Sequence, residues 1–183
     1  MDSFAEQLLK KRNGLKENLI ISLIISAMVL VCALAVMFLL PIPALCLMLI
    51  FGAIYGGLWL IKTQYIEYEY SVLNGDLDID RITGKRKRKR VVQVRAQKID
   101  EFLPMPDEMD TKGFGRVLFA CTAPENATFY VTYHSKKNGR TIVFLEPNER
   151  VLKELYAGQN RPKQLALEKA CRELNVELPS LGN

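Results

Sequence analysis

Six consecutive cations, Lys85-Arg86-Lys87-Arg88-Lys89-Arg90, form the densest set of chemically capable side chains in the chain, with Arg81, Arg95 and Lys98 close by. Three chemistries fit such a run. It can be a solvated strand end beside a turn. It can contact anionic lipid headgroups, which contributes about 1 kcal/mol per cation beside an inner leaflet. It can also hold nucleic acid or another polyanion, for which basic charge is the electrostatic footprint. No stacking motif and no groove-reading helix accompanies it, so nucleic acid is the weakest of the three.

The other candidates carry less. His134 is the single histidine, with no second histidine or nearby cysteine to share a metal. Asp76, Asp78 and Asp80 alternate along one stretch but lack the Gly and Glu of a calcium loop, and read as the solvated face of a strand. Cys32, Cys46, Cys121 and Cys171 include no C-x-x-C pair, which excludes a zinc ribbon and fits a reducing compartment. Lys112-Gly-Phe-Gly-Arg116 lacks P-loop order and reads as a plain turn. Asn126-Ala-Thr128 is a glycosylation sequon by pattern, inert in a cytoplasmic domain. With no Ser-His-Asp, Cys-His, HExxH or Walker pattern, the expectation is of no catalytic residue, no metal site and no cofactor.

From Leu19 to Ile61, 43 consecutive residues contain no Asp, Glu, Lys or Arg. This excludes a simple soluble globular protein, although the 49% hydrophobic and 25% charged composition of the 183-residue chain would suit one. Leu19–Leu40 and Ile42–Ile61 are each long enough to cross a hydrocarbon core of roughly 30 Å at about 1.5 Å per residue. Pro41 and Pro43 break the run between them. A two-helix transmembrane hairpin is predicted over 19–61, with spans 19–40 and 42–61. Lys10, Lys11, Arg12 and Lys16 precede it, Lys62 and the basic run follow it, and the turn is uncharged. The positive-inside rule then places both termini in the cytoplasm of a multi-pass cell-membrane protein. Tyr55 and Trp59 suit an interfacial anchor near the exit. Gly52, Gly56 and Gly57 lie at a depth matching Ser22 and Ser26, a small-residue spacing that lets helices approach within the hairpin or, less favoured, in a homo-oligomer. Residues 1–18 read as a cytoplasmic amphipathic helix, with a capping box at Ser3–Glu6 and i,i+4 pairs Phe4/Leu8 and Ala5/Leu9.

After Lys62 the periodicity becomes two. Ile66, Tyr68, Tyr70 and Val72 alternate with polar residues, Asn74-Gly75 follows, and Leu77 and Ile79 alternate with aspartates. This predicts a β-hairpin. Its length implies that Thr83-Gly84 returns to the level where the chain emerged near Tyr65. Further strands are predicted over 88–96, continuing through Ile99–Leu103, and over 116–122, 128–134 and 140–145, with a loop over 104–115. Asn148 caps a helix bearing Val151, Leu152, Leu155 and Tyr156, and a last helix runs from Pro162 to about Leu174. The fold class is therefore α+β: the hairpin, then an antiparallel domain of six to seven strands over 62–158 as one curved sheet covered by the first helix, then a C-terminal helix and tail over 159–183. The domain is expected to fold from about Gln64 onward.

The layout of strand, tight turn, strand, basic segment, further strands and closing helix resembles bacterial pleckstrin-homology-like (PH-like) domains. The stretch from Tyr65 to Asp80, directly after paired spans, is similar to the start of that domain in an uncharacterised family of small Gram-positive bacterial membrane proteins. The resemblance implies a PH-like cytoplasmic domain and no catalytic residues, and no phosphoinositide motif can be matched residue by residue. The expected function is a non-enzymatic integral membrane protein presenting a PH-like binding domain to protein or lipid partners, with Lys85–Arg90 on anionic headgroups. The alternative is a membrane-tethered polyanion-binding module using the same run.

Overall fold

The computed structural model describes residues 4–106 and 109–176. The elements in chain order are β1 (Phe4–Lys10), α1 (Leu15–Leu39), α2 (Pro43–Lys62), β2 (Ile66–Leu73), β3 (Asp76–Thr83), β4 (Lys87–Val94), β5 (Ile99–Pro104), β6 (Arg116–Phe119), β7 (Phe129–Ser135), β8 (Gly139–Leu145), α3 (Glu149–Ala157) and α4 (Arg161–Glu173). They form two units. One holds Arg12–Ile66 and Thr83–Lys87; the other holds the chain up to Lys11, Glu67–Ile82 and the chain from Arg88 onward.

In the first unit an unbroken apolar sequence folds as helix because a helix satisfies its own backbone polar groups. The Glu17 carboxylate accepts the Gly14 N–H at 3.1 Å at the start of α1. Pro43 opens α2, where a missing N–H costs nothing, and Lys62 in its last turn complements the helix dipole. The two helices pack on each other, with the Cys46 thiol donating to the Ala35 carbonyl at 3.5 Å near the turn. Both are long and apolar enough to cross a bilayer.

The second unit carries two four-stranded sheets, ordered β1-β2-β3-β4 and β5-β7-β8-β6. This corrects the single curved sheet of six to seven strands. The extra strand is β1. Residues 4–10 form no amphipathic helix: they pair antiparallel with β2 in continuous register, from Phe4 opposite Leu73 to Lys10 opposite Glu67. The physical reason is that an i,i+4 spacing is also twice the strand period, so the Phe4/Leu8 and Ala5/Leu9 pairs suit either element. The β2 edge decides between them: Ala5 is buried while Phe4 and Leu8 face outward. Ser3 and the tail from 177 lie outside the described residues. Pairing is antiparallel for β5 with β7 and β7 with β8, whereas β6 runs parallel to β8.

The core forms from the inward positions of both sheets, including Tyr68, Tyr70 and Val72 on β2, Leu77 and Ile79 on β3, and Val131 on β7. Val151, Leu152, Leu155 and Tyr156 on α3 join it. Asn148 caps α3 by accepting the Val151 N–H at 2.9 Å. Gln7 on β1 ties this entry down: its amide donates to the Glu146 carbonyl at 2.9 Å and accepts the Asn148 N–H at 2.7 Å. The last helix, α4, packs on β5 and buries Leu167 and Cys171. Tyr130, Ile142 and Phe144 make a further cluster on the other side of the second sheet, covered by Leu103, Met105, Met109 and Phe114.

Two glycines set the approach of the first hairpin to α3. Asn74 (φ 52°) and Gly75 (φ 83°) form the tight turn, and a Cβ on Gly75 would lie 2.4 Å from the Gly158 Cα. At Gly139 (φ 67°) the backbone is equally left-handed, but a Cβ would meet nothing within 4 Å. Gly139→Ala should therefore cost only the left-handed strain of about 1–2 kcal/mol. Gly75→Ala must also displace backbone and should cost at least ~1 kcal/mol more. Urea unfolding of the two variants checks the order, and equal losses would contradict the contact.

Because Lys10 faces Glu67, replacing residues 11–66 with Asn-Gly should close β1 directly onto β2 as a two-residue hairpin. That span-free domain is expected to be soluble and to melt cooperatively. A version starting at Gln64 lacks β1 and the Gln7 bonds, and should melt at least about 5 °C lower, since each 1 kcal/mol lost shifts a domain of this size by roughly 3–5 °C. Equal melting temperatures would mean that β1 contributes nothing.

Candidate functional site

The basic run straddles a turn and a strand, and the turn is built against the end of α2. Gly84 (φ 60°) and Lys85 (φ 59°) are both left-handed. The Gly84 N–H donates to the Tyr65 carbonyl at 2.9 Å, and a Cβ on Gly84 would lie 3.0 Å from the Lys62 carbonyl oxygen. The second strand of the hairpin therefore returns to the point where the chain leaves α2, as its length predicts. The Arg86 N–H then donates to the Thr83 carbonyl at 3.2 Å, closing the turn.

The six cations divide into two groups. Arg88 pairs with Glu69 and lies 3.7 Å from Asp80; Arg90 lies 3.3 Å from both Asp78 and Asp80. These arginines lie over three carboxylates of β2 and β3. Burial pushes the Asp78 carboxyl above the usual aspartate range, and the Arg90 guanidinium opposes that shift. Lys85, Arg86, Lys87 and Lys89 are exposed and form no ion pair with any described residue. Sequence reasoning missed this division. Its signal is the matched spacing of Asp78/Asp80 and Arg88/Arg90 on neighbouring strands.

The remaining candidates resolve individually. Asp76 accepts the Ala96 N–H at 2.8 Å, a structural bond. His134 is exposed opposite Arg140 on β8. Among the described residues, no group of three or more His, Cys, Asp or Glu side chains could hold a metal ion. Cys121 is buried, and its thiol is pushed up to about 11 by burial and then by the Glu146 carboxylate. Burial also raises the Cys171 thiol. The 112–116 segment is a packed turn: the Gly115 N–H donates to the Arg140 carbonyl at 2.8 Å, and Arg140 lies 4.7 Å over the Phe114 ring.

Of the small residues expected at the helix seam, Gly57 alone is packed, with Met28 Sδ 2.7 Å from where its Cβ would be. Gly52 and Gly56 would meet nothing within 4 Å, and Ser22 and Ser26 are exposed. Adjacent helical positions point about 100° apart, so Gly56 does not share the face that Gly57 turns to α1. Tyr55 and Trp59 are exposed near the end of α2.

Two four-stranded sheets followed by two helices, with an apolar helical hairpin between β1 and β2 and a cationic turn after β3, make up the described chain. Residues 1–162 match the family described as Bacterial PH-like domain (DUF6106), and the chain belongs to that family. PH-like domains are in general non-catalytic binding modules. No curated protein and no solved structure matches the chain.

Proposed function

We propose that this protein is a non-enzymatic integral membrane protein whose PH-like domain is held at the cytoplasmic surface by two spans, with both termini cytoplasmic. The observation that carries this reading is the register of β1 with β2. Lys10 faces Glu67, so the apolar hairpin leaves and re-enters the sheet at one place, and both of its feet belong on the same side of a bilayer. The cations at those feet and the uncharged turn favour the cytoplasmic side. Lys85, Arg86, Lys87 and Lys89 are the cations left for anionic headgroups, since Arg88 and Arg90 are engaged with carboxylates.

Single cysteines at Ser3 and Ser180, in a chain whose four native cysteines are replaced by alanine, should be protected from an impermeant thiol reagent in intact cells. Labelling of either would overturn the topology. Changing Lys85, Arg86, Lys87 and Lys89 to Gln in the span-free domain should weaken binding to anionic vesicles about tenfold or more, on the scale of ~1 kcal/mol per cation. Neutral vesicles should bind neither form. Unchanged binding to anionic vesicles would leave the run as a solvated turn.

A further inference from the structure

Beside the basic turn, the C-terminal end of α2 forms a feature that charge alone does not explain. Leu58 and Trp59 line a cleft of about 320 Å³ together with Lys62, Thr83, Arg86 and Lys87. That volume is within the range of about 300–1,000 Å³ typical of small-molecule sites. Its walls are almost wholly apolar, and its three charged residues are all cations. Leu58 and Trp59 are both about half exposed, and neither Arg86 nor Lys87 forms an ion pair with a described residue. The close approach of Gly84 to the Lys62 carbonyl fixes the turn against the helix and so defines one wall.

We propose that this cleft binds one anionic glycerophospholipid, with its phosphate between Lys62 and the Arg86–Lys87 pair and the upper part of an acyl chain on Leu58 and Trp59. The inference rests on the membrane reading above and goes beyond it, from diffuse attraction to a single built site. The charge complementarity is one-sided, so the occupant is an anion. The apolar walls select an amphiphile: a free phosphate would meet the three cations but leave the surface of Leu58 and Trp59 uncovered, and the further polar groups of a nucleotide would lose water against that surface without gaining partners. A lipid arrives already oriented, because α2 ends in this cleft after 20 residues long enough to span a bilayer.

The full chain, reconstituted in nanodiscs of equal phosphatidylglycerol and phosphatidylcholine and released into mild detergent, should retain one phosphatidylglycerol by native mass spectrometry. Arg86→Gln with Lys87→Gln should reduce the retained fraction at least tenfold. Lys85→Gln with Lys89→Gln removes the same charge from the run outside this cleft and should retain the lipid. Trp59→Ala, which changes no charge, should reduce retention severalfold. Equal losses from the two charge pairs, or no retained lipid in the parent, would overturn the site. So would displacement of the lipid by millimolar inorganic phosphate. Extraction of the parent from membranes by alkaline carbonate would instead overturn the membrane reading itself, so the two failures are distinguishable.

Discussion

The antiparallel register between β1 and β2 is the constraint on which the remaining architecture depends. Seven residue pairs join strands that lie far apart in sequence. Everything between Lys10 and Glu67 is an insertion that must leave and return at one end of a single strand pair. A flexible loop of that length would cost roughly 3–4 kcal/mol in length-dependent closure entropy. Two packed helices replace that loop with a stiff hairpin and leave only short joints to order. The same register makes β1 the partner of the β2 edge and puts Gln7 beside the entry to α3, so the closing helix and the apolar hairpin are tied to one strand.

The basic run shows how one composition can carry two roles. Arginine at 88 and 90 presents planar, multi-donor guanidinium groups to carboxylates on β2 and β3, a geometry a lysine ammonium does not reproduce. These exposed pairs add little stability individually. Their effect is to remove charge locally: Arg88 and Arg90 are compensated by their neighbours, and Lys87 and Lys89 of β4 join Lys85 and Arg86 of the turn in carrying the run's net positive potential. The aspartates of β3 therefore help decide which cations of the run stay uncompensated.

Much of the fold is legible along the chain because its signals are local. Asn74-Gly75 between two alternating runs specifies the β2–β3 hairpin, and Asn148 before an apolar stripe specifies α3. The two apolar helices follow from the uninterrupted apolar sequence. What is not legible depends on distant partners. β1 has a pattern compatible with two periods, and the β2 edge that decides between them comes only after both helices. The parallel pairing of β6 with β8 joins strands that have β7 between them in the sequence, which local pattern does not fix. At the site, the cations are plain in the sequence, but their division into engaged and available groups requires knowing that Glu69, Asp78 and Asp80 lie within reach. The cleft beside Trp59 is equally non-local, since α2 forms one wall and the turn after β3 the other.

The Gly75–Gly158 approach bears on how freely the protein can vary. A clash between side chains can usually be relieved by making one of them smaller. Here both partners already carry only hydrogen, and a Cβ on Gly158 would lie 2.2 Å from the Gly75 Cα, so no substitution at either position can make room for a side chain at the other. The turn and the end of α3 are therefore coupled without being able to compensate each other. A foreign hairpin grafted between β2 and β3 would be accepted only if it kept glycine at its second turn position, whatever the sequence of the strands on either side.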